Sequence, residues 1–272
     1  MKQGSKQLGK AFLGLALGLV WLIPFYLMVT NSFKTKQEIF TNPLKFPEAF
    51  TFENYPEAFR QLDFIRTLAN SLLITVSSVI VIVIFSAMAA YALERIKSKF
   101  STITFMVFVA AMLVPFQSVM IPLVALFGKA QMLNQIGIIF MYLGFGGSMS
   151  IFLYHGAMKS IPRALDEAAI IDGASRWQVF WKVIFPMLKP TTVTVAVLNT
   201  MWIWNDYLLP SLVINSPTTQ TIPLKMFFFF GQYTKQWHLA LAGLVIAILP
   251  VIIFYFFMQK QIIKGVADGA VK

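Results

Sequence analysis

Glu167-Ala168-Ala169-Ile170-Ile171-Asp172-Gly173, followed thirteen residues after its glycine by Pro186, is the one long, charged, turn-punctuated stretch in the second half of an otherwise apolar chain. Charges and free backbone groups are costly in hydrocarbon, so this segment lies in water beside the membrane. Its residues spell two short helices with a break. Pro162 suits a first helical turn, where its missing N–H costs nothing, and Asp166 and Glu167 set negative charge near that positive helix end. Leu165, Ala168, Ala169 and Asp172 share one face by three-and-four spacing, and the two alanines keep it nearly flat. Gly173 can take the left-handed conformation that stops a helix, and Ser175 with Gln178 reads as a capping box opening another. Trp177, Phe180, Trp181 and Ile184 line the apolar side of the second helix, which Pro186 helps to end.

Outward from this hairpin the composition is that of a polytopic membrane protein. Hydrophobic residues make up 58% of the chain and charged residues 12%, about half the share usual in soluble domains. Six uncharged runs are long enough to cross a bilayer core of roughly 30 Å: 11–29, 67–93, 103–127, 136–158, 191–209 and 239–258. Lys2, Lys6 and Lys10 before the first run resemble the start of a signal peptide. The run is too long for a signal core and lacks a small-residue cleavage site, so a retained helix is expected. Fourteen of the 22 basic residues fall on the side of the termini and the hairpin, and the long first connection opposite carries five acids. By the positive-inside rule both termini and the hairpin are cytoplasmic in a multi-pass cell-membrane protein. The net charge of +11 therefore reports anchoring and gives no sign of nucleic acid binding.

The first outer connection mixes prolines with Phe46, Phe50, Phe52, Tyr55 and Phe59, and either caps the bundle or lies at headgroup level. Pro115, Gln117 and Pro122 in the third run, and Gly144, Gly146 and Gly147 in the fourth, mark either a bent, movable gate or static kinks. Asn199, Trp202 and Asp206 share a face of the fifth run, with Asn205 and Tyr207 beside them. Amides and aromatic planes suit a sugar's hydroxyls and C–H faces, whereas Trp202, Trp204 and Tyr207 also fit an interfacial belt, and Asp206 at a span end can simply be solvated. Asn70 and Gln117 complete the candidate path, although small polar residues are also ordinary helix–helix glue. The chain has no cysteine and only two histidines, His155 and His238, far apart. No metal site, catalytic triad or phosphate-binding Gly-x-x-x-x-Gly-Lys-Ser/Thr loop is written here, and buried acids are too few for an ion-gradient relay.

Glu167-Ala168-Ala169, Gly173 and Pro186, with Val183 and Phe185 as conservative replacements, resemble the Glu-Ala-Ala, three residues, Gly, nine residues, Ile-x-Leu-Pro signature of the permease subunits of ATP-binding-cassette importers that depend on an extracytoplasmic binding protein. The resemblance implies an all-α type I transmembrane domain: a six-helix bundle with a cytoplasmic coupling-helix hairpin. Glu167, Ala168, Ala169, Asp172, Gly173 and Pro186 would couple to an ATPase subunit dimer that itself binds ATP and Mg. Trp204-Asn205-Asp206-Tyr207-Leu208-Leu209-Pro210 is similar to a run of the carbohydrate branch, and the last outer connection to a loop that meets the solute-binding protein there, which implicates Thr218, Thr219, Gln220 and Tyr233. The tail resembles the glycine-rich terminus of the maltose-permease-like second subunit, implying ATPase contact by Gly265, Gly269 and Lys272.

The expectation is thus one transmembrane permease domain over 1–272, with a coupling loop at 159–190 and a cytoplasmic tail at 259–272. It would be a transport subunit without enzymatic activity or cofactor, paired with a second permease to carry an oligosaccharide. The rivals are an importer for a different solute, such as a polyamine or phosphate, a gradient-driven six-helix carrier, and a scaffold subunit without a path of its own.

Overall fold

Helices follow the uncharged runs closely, because in a bilayer only internal hydrogen bonding satisfies a spanning backbone. The computed structural model describes residues 2–231 and 235–270. Helices α1 (Lys2–Ser32), α4 (Phe64–Arg95), α7 (Gln135–Met158) and α13 (Trp237–Ala270) each contain a stretch long and apolar enough to cross. The third and fifth runs differ from straight crossings. The third is α5 (Lys99–Ala111) and α6 (Phe116–Lys129) at 106°, and the fifth run's helix, α10 (Lys189–Trp204), leaves the preceding α9 (Arg176–Met187) at 76°. Counting each bent pair as one span gives six. Smaller helices fill the connections: α2 (Lys36–Thr41), α3 (Asn54–Gln61), α8 (Ala164–Ile171), α11 (Leu208–Val213) and α12 (Ile222–Met226).

Sequence had offered Pro115 and Pro122 equally as breakers, and only Pro115 breaks. It stands in extended conformation at the N-cap of α6, whereas Pro122 is absorbed within that helix. A proline inside a helix loses one hydrogen bond; at the N-cap it loses none. The glycine cluster of the fourth run is no hinge in this structure, because α7 is uninterrupted. Gly146 serves close packing instead: a Cβ there would lie 2.7 Å from Ile82 Cδ1.

The chain divides into two compact units. One comprises the residues up to Phe64 with Lys225–Ile253. Its first connection is wound around Lys34, which is fully buried. Lys34 Nζ donates to Asn31 Oδ1 at 3.0 Å and to the carbonyls of Asn42, Pro43 and Lys45 at 2.9, 3.3 and 2.6 Å. Asn54 Nδ2 ties the chain back by donating to the carbonyls of Ser32 and Lys34, both at 2.9 Å. Burial holds the Lys34 ammonium below the ordinary lysine range, opposed by the charge of Glu38. Phe229 is buried in this unit while Phe227 and Phe228 are exposed, so the aromatic run 227–230 of the last connection turns inward only in part.

The other unit comprises Ile65–Leu224 with the residues from Phe254 on. Its core draws Ile74, Ile82 and Ala87 from α4, Ile138, Tyr142 and Tyr154 from α7, Phe180 and Ile184 from α9, and Val195 and Ile203 from α10. The water-facing hairpin is therefore rooted in the same core as the spans.

Candidate coupling hairpin and the polar helix contacts

The hairpin forms as its local chemistry dictates. Gly173 closes α8 at φ +85°, in the left-handed region. Gly173 N–H donates to Ile170 O at 3.0 Å and Ala174 N–H to Ala169 O at 2.9 Å, the paired bonds of a Schellman ending. Ser175 and Gln178 then exchange side-chain and backbone hydrogen bonds at 2.8 and 3.3 Å, so the capping box is present. Within α9 the turn Val179–Ile184 is π-helical, with Phe185 N–H reaching back five residues to Phe180 O. The widening relieves Pro186, which has no N–H to offer. The break falls at Leu188, two residues after that proline, and α8 starts two residues after Pro162.

The two alanines of the signature face opposite ways. Ala168 is exposed with Leu165, Glu167, Ile171 and Asp172, while Ala169 turns inward against the core, as does Ala174. The expected four-residue face is therefore corrected by one position: Ile171, seven residues after Ala164 and three after Ala168, takes the place given to Ala169. Ile171 is 85% exposed and Trp177 59%. Trp177 is thus outside the apolar seam that Phe180 and Ile184 bury, with the ring of Trp181 5.7 Å away.

Beneath α8 lies a buried polar cluster that sequence reading missed. Asp166, expected at the helix end as a dipole partner, points inward. Arg95 Nη2 stands 2.8 Å from its Oδ2, and Tyr91 OH donates to its Oδ1 at 2.8 Å. The arginine contact is a charge contact without hydrogen-bond direction, so Asp166 Oδ2 and Arg95 Nε are buried with no directed partner. Arg95 also donates to Ile161 O at 3.2 and 3.3 Å, and Arg163 Nη2 donates to Glu94 O at 2.7 Å. The Glu94 carboxylate lies 3.2 Å from Nε2 of His155 on α7, whose ring stacks on Phe105 at 3.9 Å. Removing one partner of such a buried pair typically costs about 3–5 kcal/mol. Tyr91, Glu94 and Arg95 sit at i, i+3 and i+4, and this polar face at a span's end was the available signal.

The candidate path residues fall into separate places. Asn199 is buried and donates to Ser150 Oγ at 3.1 Å and Val195 O at 2.8 Å, sealed between α10 and α7. Asp206 accepts from Tyr142 OH at 3.0 Å and from the N–H of Leu208 at 2.9 Å. That side chain caps α11 and so separates Asn205, Asp206 and Tyr207 from the helix that had been expected to run to Leu209. Trp202 lies edge-on to Tyr142 at 5.4 Å. Asn205 is exposed and donates back to Met201 O at 2.7 Å, and Gln117 is exposed in the first turn of α6.

Asn70 pins the last outer connection. Its Nδ2 donates to Thr218 O at 2.9 Å and Gln220 O at 3.1 Å, and its Oδ1 accepts from Gln135. Ser71 Oγ accepts from Ile222 N–H at 2.8 Å. Beside this anchor a cavity of about 280 Å³ is lined by Gln135, Asn215, Ser216 and Thr219, among others. Thr218 is exposed, Thr219 and Gln220 half-buried. Tyr233 and Lys272 lie outside the described residues, while Gly265 and Gly269 fall within α13, which continues helical to Ala270. Among the described residues no three acids or histidines gather as a metal site would require.

Residues 82–268 match the model of the family described as binding-protein-dependent transport system inner membrane component. The chain is 57% identical, over 96% of its length and 95% of the relative's, to the probable starch degradation products transport system permease protein AmyC of Thermoanaerobacterium thermosulfurigenes. It is 37% identical to the multiple sugar-binding transport system permease protein MsmG of Streptococcus mutans, over 94% of this chain and 93% of that one. It is 34% identical to the melibiose/raffinose/stachyose import permease protein MelC of Bacillus subtilis, over 92% and 91%. In fold it is similar to a chain of a bacterial ABC transporter involved in the import of the acidic polysaccharide alginate, with a TM-score of 0.79, 24% identity and coverage of 96% and 97%.

Proposed function

The chain belongs to the binding-protein-dependent transport system inner membrane components, and on that footing we propose that it forms half of the translocation path for an oligosaccharide of the starch-breakdown class, driven through its hairpin by a partner ATPase. The carrying observation is the outer face of α8. Ala168, Ile171 and Trp177 are exposed on a water-side hairpin whose inner side is fixed in the core. Covering a side chain such as Ile171 is worth roughly 1.5–3 kcal/mol, so this face is built to be covered. Methyl-sized Ala168 allows close approach, and Glu167 beside it offers a carboxylate to a donor on the partner.

In this reading the hairpin and both termini are cytoplasmic, and ATP and Mg stay on the ATPase dimer. A second permease completes the path, and an extracytoplasmic solute-binding protein delivers the sugar over the loop at 215–222. Fuel and cargo thus act at opposite ends of the spans, and α8 carries motion between them. Asn70 and Ser71 hold the delivery loop, while Asn199 and Asp206 tie α10 and α11 to α7. The sugar assignment rests on the names of the relatives, and the driving mechanism on the hairpin.

The test is uptake of a labelled malto-oligosaccharide into vesicles holding the assembled importer, with binding protein outside and ATP inside. No atom lies within 4 Å of a Cβ added at Gly173, so a larger side chain there would project from the hairpin and add left-handed strain of about 1–2 kcal/mol. Gly173→Trp and Glu167→Lys are each expected to cut uptake at least tenfold, with membrane levels of the chain unchanged. Normal uptake by both variants contradicts the coupling role; failure of every sugar tested, with another solute accepted, contradicts the cargo.

A further inference from the structure

We propose that Arg95 and Asp166 are positioning residues for coupling, a latch that makes α8 and the last turn of α4 move as one body. The proposal rests on the coupling reading and deepens it, by naming how a push on the hairpin enters a span. Asp166 is the only buried residue of α8. A load on the outer face of that helix reaches α4 through this carboxylate, alongside the route through the rest of the hairpin, where Phe180 and Ile184 of α9 sit in the core.

The other side of the contact is equally concentrated. Tyr91 and Arg95 of α4 both meet Asp166, while Glu94 between them meets His155 of α7. The two arginines exchange backbone contacts across the joint: Arg95 of α4 holds the carbonyl of Ile161, and Arg163 of the hairpin holds that of Glu94. Each element grips the main chain of the other. A linking peptide such as 159–163 can bend under load; a main-chain grip from both sides resists it.

Both oxygens of the carboxylate are fixed to the last turn of α4: Tyr91 OH donates to Oδ1, and Arg95 Nη2 stands 2.8 Å from Oδ2 in a charge contact. Burial keeps water from screening it, with both side chains about one-eighth exposed.

The experiment uses the importer assembled with its ATPase and binding protein, reading sugar moved per ATP hydrolysed. Asp166→Asn keeps size and removes charge, and is expected to lower that ratio at least tenfold. The chain has no native cysteine, so Arg95→Cys with Asp166→Cys supplies two thiols that a short flexible bis-maleimide can join. The unlinked pair is expected to be uncoupled and the linked pair to regain at least half the normal ratio. An Asp166→Asn ratio within twofold of normal, or a linked pair no better than the unlinked one, overturns the proposal. Loss of the complex in both variants assigns the contact to folding alone and also overturns it. Gly173→Trp separates the levels: if it uncouples and Asp166→Asn does not, only the latch falls, and if neither does, the coupling reading falls with it.

Discussion

A fully buried lysine and a half-buried arginine in this chain are held in opposite ways. Lys34, in the unit that includes α1, is surrounded by four neutral oxygens, one side-chain amide and three carbonyls of its own connection. Arg95, in the unit that includes α7, is held by a carboxylate from a different helix and keeps a buried Nε without an acceptor. The first arrangement is a knot: saturated and local, with the opposing charge of Glu38 only four residues on in the sequence. The second joins two elements that a motor would have to move together, and it is incompletely satisfied. In the proposed reading, saturation serves stability and the charge contact between elements serves transmission.

Breaking the knot is the sharpest way to test this contrast. Lys34→Met takes the donor from the partly buried carbonyls of Asn42 and Lys45, and at about 1 kcal/mol for each hydrogen bond lost the loss is about 2 kcal/mol. A lower melting temperature of the detergent-solubilised chain is expected, with sugar moved per ATP unchanged in the protein that stays folded. A fall in that ratio without a fall in melting temperature would erase the distinction between the two cations. The smallest effect is expected at the hairpin's own cap. Ser175→Ala removes one half of the capping box at a cost of about 1 kcal/mol, which amide exchange at Gln178 would read as about fivefold faster opening.

The spans were legible because an apolar run of crossing length has few alternatives in a bilayer, and four of the six are single helices that run at least as far as the sequence suggested. The hairpin's breaks were legible because Gly173, Ser175 and Gln178 act on their immediate neighbours. What could not be read was whatever depends on partners distant in sequence. Tyr91 and Asp166 are 75 residues apart, so nothing local turns that carboxylate inward rather than toward its own helix end. Ala168 and Ala169 are chemically identical neighbours, and only the packed core tells which of them faces out. Asp206 was flagged as an ionisable group near a span end, yet it also caps α11, a role its place two residues before Leu208 could have signalled. Asn70 was assigned to the path, and its amide holds the backbone of the last outer connection.

The central claim is that the outer face of α8 is cytoplasmic and covered by an ATPase subunit. Ile171→Cys places the chain's only thiol on that face, at its most exposed apolar position. A membrane-impermeant maleimide is expected to label it in inside-out vesicles carrying the chain without its ATPase, not in intact cells, and to be excluded once the ATPase is bound. Labelling from outside intact cells, or equal labelling with and without the ATPase, would contradict the account.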